Sequence, residues 1–251
     1  MKQFNAIILS AGVGSRLLPL TFTRPKPLMR LDDDRTILEH LLSTLALCPR
    51  ILDCALVAGH RYSSLAIAAE SFGGKPTDCV LNPFFSASGP LGSIWIALSS
   101  TKSNYLVIAN GDTVLYPNFS VYLDDTLERP EEGFFLLCSE ATPNHEDAVN
   151  VIVRPDDCVI AVGKEVKGSK ETLESSGVFV IAGQKSRDTF ESTLHDLFTD
   201  STDPIISWPW HAALNVLVAD GHKVKVVRVP SSFWKEIDSA EDLAQLHQSQ
   251  N

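Results

Sequence analysis

Phe4-Asn5-Ala6-Ile7-Ile8-Leu9-Ser10-Ala11-Gly12-Val13-Gly14-Ser15-Arg16 is an apolar run feeding a glycine-rich turn. Phe4 to Leu9 predicts a short buried strand. Small residues and glycines after it let backbone N–H groups approach an anion closely. Arg16 adds a planar, permanently charged donor fork suited to phosphate oxygens. No Gly-Lys-Ser/Thr follows at the spacing of a Walker loop, and Leu17 stands where a dinucleotide fingerprint needs its third glycine. The glycine pair alone suits a plain tight turn equally well. The next residues tip the balance: Pro19, Thr21, Arg24, Pro25, Lys26, Pro27 and Leu28. Two prolines restrict the backbone on both sides of Lys26. A lysine on such a rigid, extended segment is placed to hold a phosphate rather than to roam the surface.

Outward from this stretch, strand and helix signals alternate. Thr36 opens a helical pattern, with Ile37, Leu38, Leu41, Leu42 and Leu45 at helix spacing and Pro49 as the stop. Ala55–Ala58, Asp78–Leu81, Tyr105–Ala109 and Gly133–Cys138 read as strands. Tyr62–Phe72, closed by Gly73-Gly74, and Leu91–Leu98 read as helices. Strands spaced by helices imply crossovers and a mainly parallel sheet covered on both faces, a Rossmann-like three-layer α/β sandwich. The second half is less regular. Short strands are expected at Val149–Val153, Val159–Val162, Val178–Ile181, Lys223–Val229 and Phe233–Ile237, and helices at Arg187–Phe198 and Ser207–Ala219. A last helix is expected at Ser239–Gln248, with Ser239 as N-cap and Asp242 three residues on. No repeat or linker divides the chain, so residues 1–251 read as one domain.

Composition sets bounds. Of 251 residues, 44% are hydrophobic and 21% charged, which excludes disordered, collagen-like and coiled-coil chains. No apolar run approaches the ~18 residues of a membrane span. The longest early run, Ala6 to Leu9, has neither a basic leader nor a cleavage site, so no signal peptide is expected. A net charge of -10 disfavours nucleic acid as a partner. Five widely spaced cysteines without a C-x-x-C pair suggest packed, reduced thiols and a cytoplasmic protein. Oligomeric state is left open, a homodimer included.

Two carboxylates stand out. Asp112 ends the apolar strand Val107-Ile108-Ala109-Asn110-Gly111-Asp112, and ligands of open parallel sheets gather at the carboxyl ends of strands. Asp238 closes Trp234-Lys235-Glu236-Ile237-Asp238 before the last helix. Mg²⁺ takes one or two protein carboxylates and completes its shell with water and phosphates, so this pair would suffice. Read singly, Asp112 also suits a turn and Asp238 a helix-cap neighbour. Glu236, two residues before Asp238, shares its strand face.

The composite Ala11-Gly12-Val13-Gly14-Ser15-Arg16, Pro19-Leu20-Thr21 and Pro25-Lys26-Pro27 resembles the signature of the nucleotidyltransferases that activate small phosphorylated molecules. These are the sugar-1-phosphate nucleotidyltransferases and the phosphocholine and phosphonate cytidylyltransferases. The resemblance implies that Ser10, Ala11, Gly12 and Gly14 bind nucleotide. Arg16 and the glycine backbone would hold the β- and γ-phosphates, and Lys26 would bridge the α-phosphate and the acceptor. Asp112 and Asp238 correspond to the family's metal ligands. With Arg16 and Lys26, Asp112 forms the expected catalytic set, with Mg²⁺ as cofactor. In the loop from Asn82 to Ser93, Asn82, Gly89, Gly92 and Ser93 correspond to the segment lining the base. Lys164, Glu174 and Glu236 are the acceptor-side candidates, Lys164 being equally readable as ordinary surface charge. Trp208, Pro209, Trp210 and His211 suit an aromatic acceptor pocket or core packing. The chain resembles the short cytidylyltransferases in its ending Trp234-Lys235-Glu236-Ile237-Asp238-Ser239, so CTP and a small acceptor such as phosphocholine are expected. The alternative is a sugar-1-phosphate with UTP, dTTP or GTP. A non-catalytic nucleotide sensor is a further reading, and the joint presence of Arg16, Lys26, Asp112 and Asp238 argues against it.

Overall fold

In the computed structural model, which describes residues 2–31, 33–128, 131–141, 147–166, 172–200 and 208–243, the opening run is a strand, β1 (Phe4–Ser10). Its side chains alternate between two cores. Phe4, Ala6 and Ile8 pack on one face of the sheet, and Ile7 packs on the other. All four are fully buried. Each large side chain buried this way contributes about 1.5–3 kcal/mol, so a one-residue slip that exchanged the faces would be costly.

The first face carries α1 (Ile37–Ala46), α2 (Tyr62–Ser71) and α4 (Phe119–Glu128). The second carries α3 (Phe85–Ser100), α5 (Gln184–Asp200) and α6 (His211–Ala219). A reciprocal capping box starts α1: Thr36 Oγ1 accepts from Glu39 N–H, and the Glu39 carboxylate accepts from Thr36 N–H. The result is a three-layer α/β sandwich with a mostly parallel sheet.

The remaining strands are β2 (Ile51–Ala58), β3 (Thr77–Leu81), β4 (Tyr105–Asn110), β5 (Thr113–Leu115), β6 (Gly133–Glu140), β7 (Asn150–Val153), β8 (Val159–Gly163), β9 (Thr172–Ala182), β10 (Val224–Arg228) and β11 (Trp234–Glu236). The main path runs β10-β6-β9-β4-β1-β2-β3. β9 alone in this path is antiparallel to its neighbours, β4 and β6. β7 and β8 form a hairpin attached to β9, and β5 and β11 make a separate antiparallel ribbon. The chain goes from β1 to β2 on one side and places β4 on the other. The carboxyl ends of β1 and β4 therefore flank a topological switch point, where such sheets bind ligands.

Several expectations change. The helix α4 and the ribbon strand β5 were not foreseen. α3 begins at Phe85, six residues before the expected start, and is broken at Gly89 (φ 53°, ψ −169°), a conformation suited to glycine. The expected helix Ser207–Ala219 begins only at His211, and residue 207 lies outside the described residues. The expected strand Val178–Ile181 is the end of the eleven-residue β9. The last helix starts after Ser239, and its residues 244–248 lie outside the described residues. Cys48, Cys54, Cys138 and Cys158 are buried, and all five thiols are free. Burial pushes Cys48 and Cys54 up to about 12, which makes them packing residues rather than nucleophiles. Among the described residues, no helix is long and apolar enough to cross a membrane.

Candidate active site

The site is built where β1 and β4 end. Gly111 N–H donates to Leu9 O at 2.9 Å, locking the two strand ends together. A Cβ on Gly111 would lie 2.0 Å from Ser10 Oγ and 2.7 Å from Leu9 O, so only glycine admits this approach. Asp112 follows at once and leads into β5. β5 pairs antiparallel with β11, in the register Glu236↔Thr113 and Trp234↔Leu115. This ribbon carries the residues after β11 back beside Asp112, and Ile237 N–H donates to Asp112 O at 3.1 Å. Asp238 is held in turn by the Ser239–Asp242 capping box. Asp242 Oδ2 accepts from the N–H groups of both Asp238 and Ser239.

Lys26 meets both acids. Its segment is not extended as expected: Pro25 is, but Lys26–Leu28 form a 3-10 turn. This turn buries the side chain to 11% exposure and sends Nζ to 2.8 Å from Asp112 Oδ2 and 2.8 Å from Asp238 Oδ1. Burial opposes the charge on Lys26, but the two carboxylates outweigh it and hold the ammonium above the ordinary lysine range. Thr21 clips this turn to the glycine loop, its Oγ1 donating to Gly14 O at 2.9 Å. Arg16 Nη1 approaches Asp238 Oδ2 at 3.1 Å. Burial raises the pKa of Asp238, but Lys26, Lys164 and Arg16 together bring it below the usual carboxylate range.

Asp112, Glu236 and Asp238 each offer an oxygen within 4.8 Å of the other two. Glu236 is pushed up to about 8, first by burial and then by the charges of Asp112 and Asp238. The upward push on Glu236 shows that the three acids repel one another's charge, and a cation among them would relieve that repulsion. Hard oxygen donors in this number fit a hard divalent cation.

A cavity of about 290 Å³ opens beside this cluster. Its lining comes from two parts of the chain, Ala11, Gly12, Arg16, Gly89 and Ser93 from the first half and Val149, Lys164, Trp210 and His211 from the second, and it includes Asp112, Glu236 and Asp238. A smaller recess of about 110 Å³, lined by Ser10, Gly12, Gly14, Lys26 and Asp112, shares Gly12 and Asp112 with it. A Cβ on Gly12 would meet nothing within 4 Å, so the loop presents bare backbone to open space.

The cavity does not take in every sequence candidate. Asn82 is fully buried behind the wall. Its Nδ2 donates to Ser88 Oγ at 2.8 Å and Ser93 Oγ at 3.0 Å, and its Oδ1 accepts from Phe84 N–H. It braces the loop that it was expected to line. Gly92 is buried on α3 and does not line the cavity. Glu174 is buried within β9, paired in register with Ser139 and Asn150, and is not part of the cavity wall. Trp208 is at the surface. Trp210 serves both core and cavity: it is 2% exposed and its Nε1–H donates to Asn110 Oδ1 at 2.9 Å. Asn110, Val149 and Asp147 were not anticipated. Of these only Asn110 carried a signal, as the last strand residue before Gly111-Asp112. His211 stacks on Trp210 and bonds Ser175 Oγ at 3.2 Å through Nε2. Burial, then Lys164, lowers its pKa to about 3, which keeps the ring neutral.

Residues 6–146 match the MobA-like NTP transferase domain, and the chain belongs to that family. CMP-5'-(3-aminopropyl)phosphonate synthase of Streptomyces rubellomurinus is 26% identical over 96% of this chain. Mannose-1-phosphate guanyltransferase of Neurospora crassa is 32% identical over 45% of it. The chain spans only 38% and 32% of these two proteins' own lengths. Among solved structures, the inositol-1-phosphate CTP transferase from T. maritima superimposes with a TM-score of 0.78 at 21% identity, covering 99% of this chain and 98% of that one. The CTP:phosphocholine cytidylyltransferase from Streptococcus pneumoniae does so with 0.78 at 20%, covering 98% of each chain. At these identities the likeness is one of fold.

Proposed function

We propose that this cleft transfers CMP from CTP to a small phosphorylated or phosphonate acceptor, phosphocholine-like in size, with release of pyrophosphate. The carrying observation is the meeting of Lys26 with Asp112 and Asp238, 2.8 Å from each, at the carboxyl ends of the central strands. In this reading residues 1–251 work as one unit. Its free thiols suit a reducing cytoplasm.

An acceptor phosphate or phosphonate oxygen forms a bond to the α-phosphorus of the triphosphate, and the α–β anhydride bond breaks in line. The attacking oxygen is already anionic, so no side chain has to remove a proton. Catalysis is then positioning and neutralisation of charge. The bare backbone at Gly12 and Gly14, with Arg16, holds the β- and γ-phosphates. Lys26 reaches the α-phosphate and the acceptor oxygen together. Lys164 faces the acceptor's phosphate, and Ser93 and Gly89 face the base. Asp112 and Asp238, with Glu236 beside them, would hold Mg²⁺, which when bound supplies Lewis-acid polarisation and orients the triphosphate. Glu174 has no part in this reading.

CTP is preferred over other nucleotides because the relative that matches nearly the whole chain makes a CMP-phosphonate. The guanyltransferase relative, which matches less than half of it, supports the alternative of a sugar-1-phosphate acceptor with another nucleotide. The test is pyrophosphate release from CTP, UTP, GTP and dTTP, each against phosphocholine, 3-aminopropylphosphonate, inositol-1-phosphate and mannose-1-phosphate, with Mg²⁺ and with chelator. CTP should be favoured, with release lost on chelation. Equal use of the four nucleotides rejects the CTP reading, and no release with any pair rejects catalysis.

A further inference from the structure

Asp147 stands at the mouth of the cleft. The register Asn150↔Gly163 puts it at the same end of the β7–β8 hairpin as Lys164, and its Oδ1 lies 3.2 Å from Lys164 Nζ. The same oxygen lies 3.3 Å from Arg16 Nη1, on the glycine-rich turn across the cleft. Deeper in, Asp238 approaches the same two cations, at 3.1 Å from Arg16 and 4.0 Å from Lys164. The difference is burial. The Asp238 side chain is 13% exposed, whereas Asp147, Arg16 and Lys164 are 45%, 53% and 41% exposed. Ion pairs this open are worth roughly 0–1 kcal/mol each and are screened by salt. A phosphate brings more charge and more acceptor oxygens than one carboxylate and displaces it.

We infer that Asp147 is a built-in competitor for phosphate: it pairs Arg16 and Lys164 across the cleft mouth and sets how tightly the cleft takes its anionic ligands. This rests on the reading of Arg16 and Lys164 as phosphate-holding residues. Asp147 touches no reacting atom in that reading, so it tunes affinity and not the chemical step.

The test is calorimetric titration of the full chain with Mg²⁺-pyrophosphate, comparing wild type, Asp147→Asn, Asp147→Ser and Arg16→Ala. The two Asp147 variants should bind about three- to tenfold tighter, which corresponds to about 0.3–0.7 kcal/mol for each of two weak pairs released. Their KM for triphosphate should fall with kcat unchanged. At about 1 M salt, where the Debye length is ~3 Å, their advantage should vanish. Arg16→Ala should bind more weakly than wild type. If Arg16→Ala loses binding while both Asp147 variants bind no tighter than wild type, the competitor role is overturned and the phosphate reading stands. If Arg16→Ala binds as well as wild type, the phosphate reading falls and the competitor role falls with it.

Discussion

The two walls of the cleft are made in different ways. The first comes mainly from one short piece of chain: Ala11 to Pro27 supplies the bare backbone, Arg16 and Lys26 within a run of short 3-10 turns, and Gly89 and Ser93 of α3 complete it. The second gathers single residues from separate elements: Val149 before β7, Lys164 after β8, Trp210 and His211 at the head of α6. The first wall is glycine and fixed charge. The second is mostly uncharged, with an indole on a neutral imidazole and one exposed lysine. In the proposed reading, the phosphate chain common to every nucleoside triphosphate needs the same grip each time, which a contiguous loop would provide. Acceptors differ, and a wall assembled from independent residues can change one contact at a time without disturbing the grip.

That division is open to attack at its charged side first. Asp112→Ala removes one of the three carboxylate oxygens that lie within 4.8 Å of one another. It should abolish Mg²⁺-dependent pyrophosphate release, while circular dichroism and the melting curve stay those of a folded protein. Retained turnover would mean that Asp238 and Glu236 suffice and that the strand end after β4 is not the centre of the site. Lys26→Ala comes next. It should lower kcat by about 10²–10³, the scale of losing one preorganised charge aimed at the reacting group. Near-normal kcat would show that Lys26 serves only to neutralise Asp112 and Asp238. In that event a melting temperature that falls with the substitution would mark the role as structural.

The same contrast separates what the sequence disclosed from what it hid. That Gly12, Gly14, Arg16 and Lys26 come together was legible because they are neighbours in the chain and each type has a stated physical use. Asp112 was legible from its place at a strand end. Asp238 was a candidate from its place before the last helix, strengthened by the resemblance, while the reason it meets Asp112, the three-residue ribbon β5–β11, is too short to show any periodicity. α4 escaped notice although Phe119, Leu123 and Leu127 are spaced four apart and buried. Aromatic and β-branched residues between them blur the helical pattern. Glu174 does not line the cavity, for a different reason. The stretch before Ser175 is polar and reads as a loop, but from Leu173 onward β9 is buried on both faces, the polar residues Glu174, Ser175 and Ser176 included. Asn82 is a candidate because the resemblance puts it in the segment that lines the base. Its fully buried amide instead spends its hydrogen bonds inside the loop, a choice that depends on where Ser88 and Ser93 fall in space.

The uncharged side is tested by pH. His211 has a pKa of about 3 in the fold, depressed by burial and then by Lys164, against about 6.5 when exposed in an unfolded chain. Between those values the unfolded chain takes up a proton at this residue and the folded chain does not. Folding stability contributed by the neutral ring is therefore complete above pH 6.5 and is lost as pH falls towards 3. The loss approaches about 1.4 kcal/mol per pH unit below the upper value. His211→Gln keeps a donor and acceptor near Ser175 Oγ but cannot titrate. Denaturant unfolding at pH 7.5, 6.0 and 5.0 should show the wild type losing stability faster than the variant, so that the gap between them shifts in the variant's favour on acidification. A gap that does not move with pH would mean that the imidazole is accessible to protons in the folded state. The second wall would then carry a titratable charge, and the contrast with the first would dissolve.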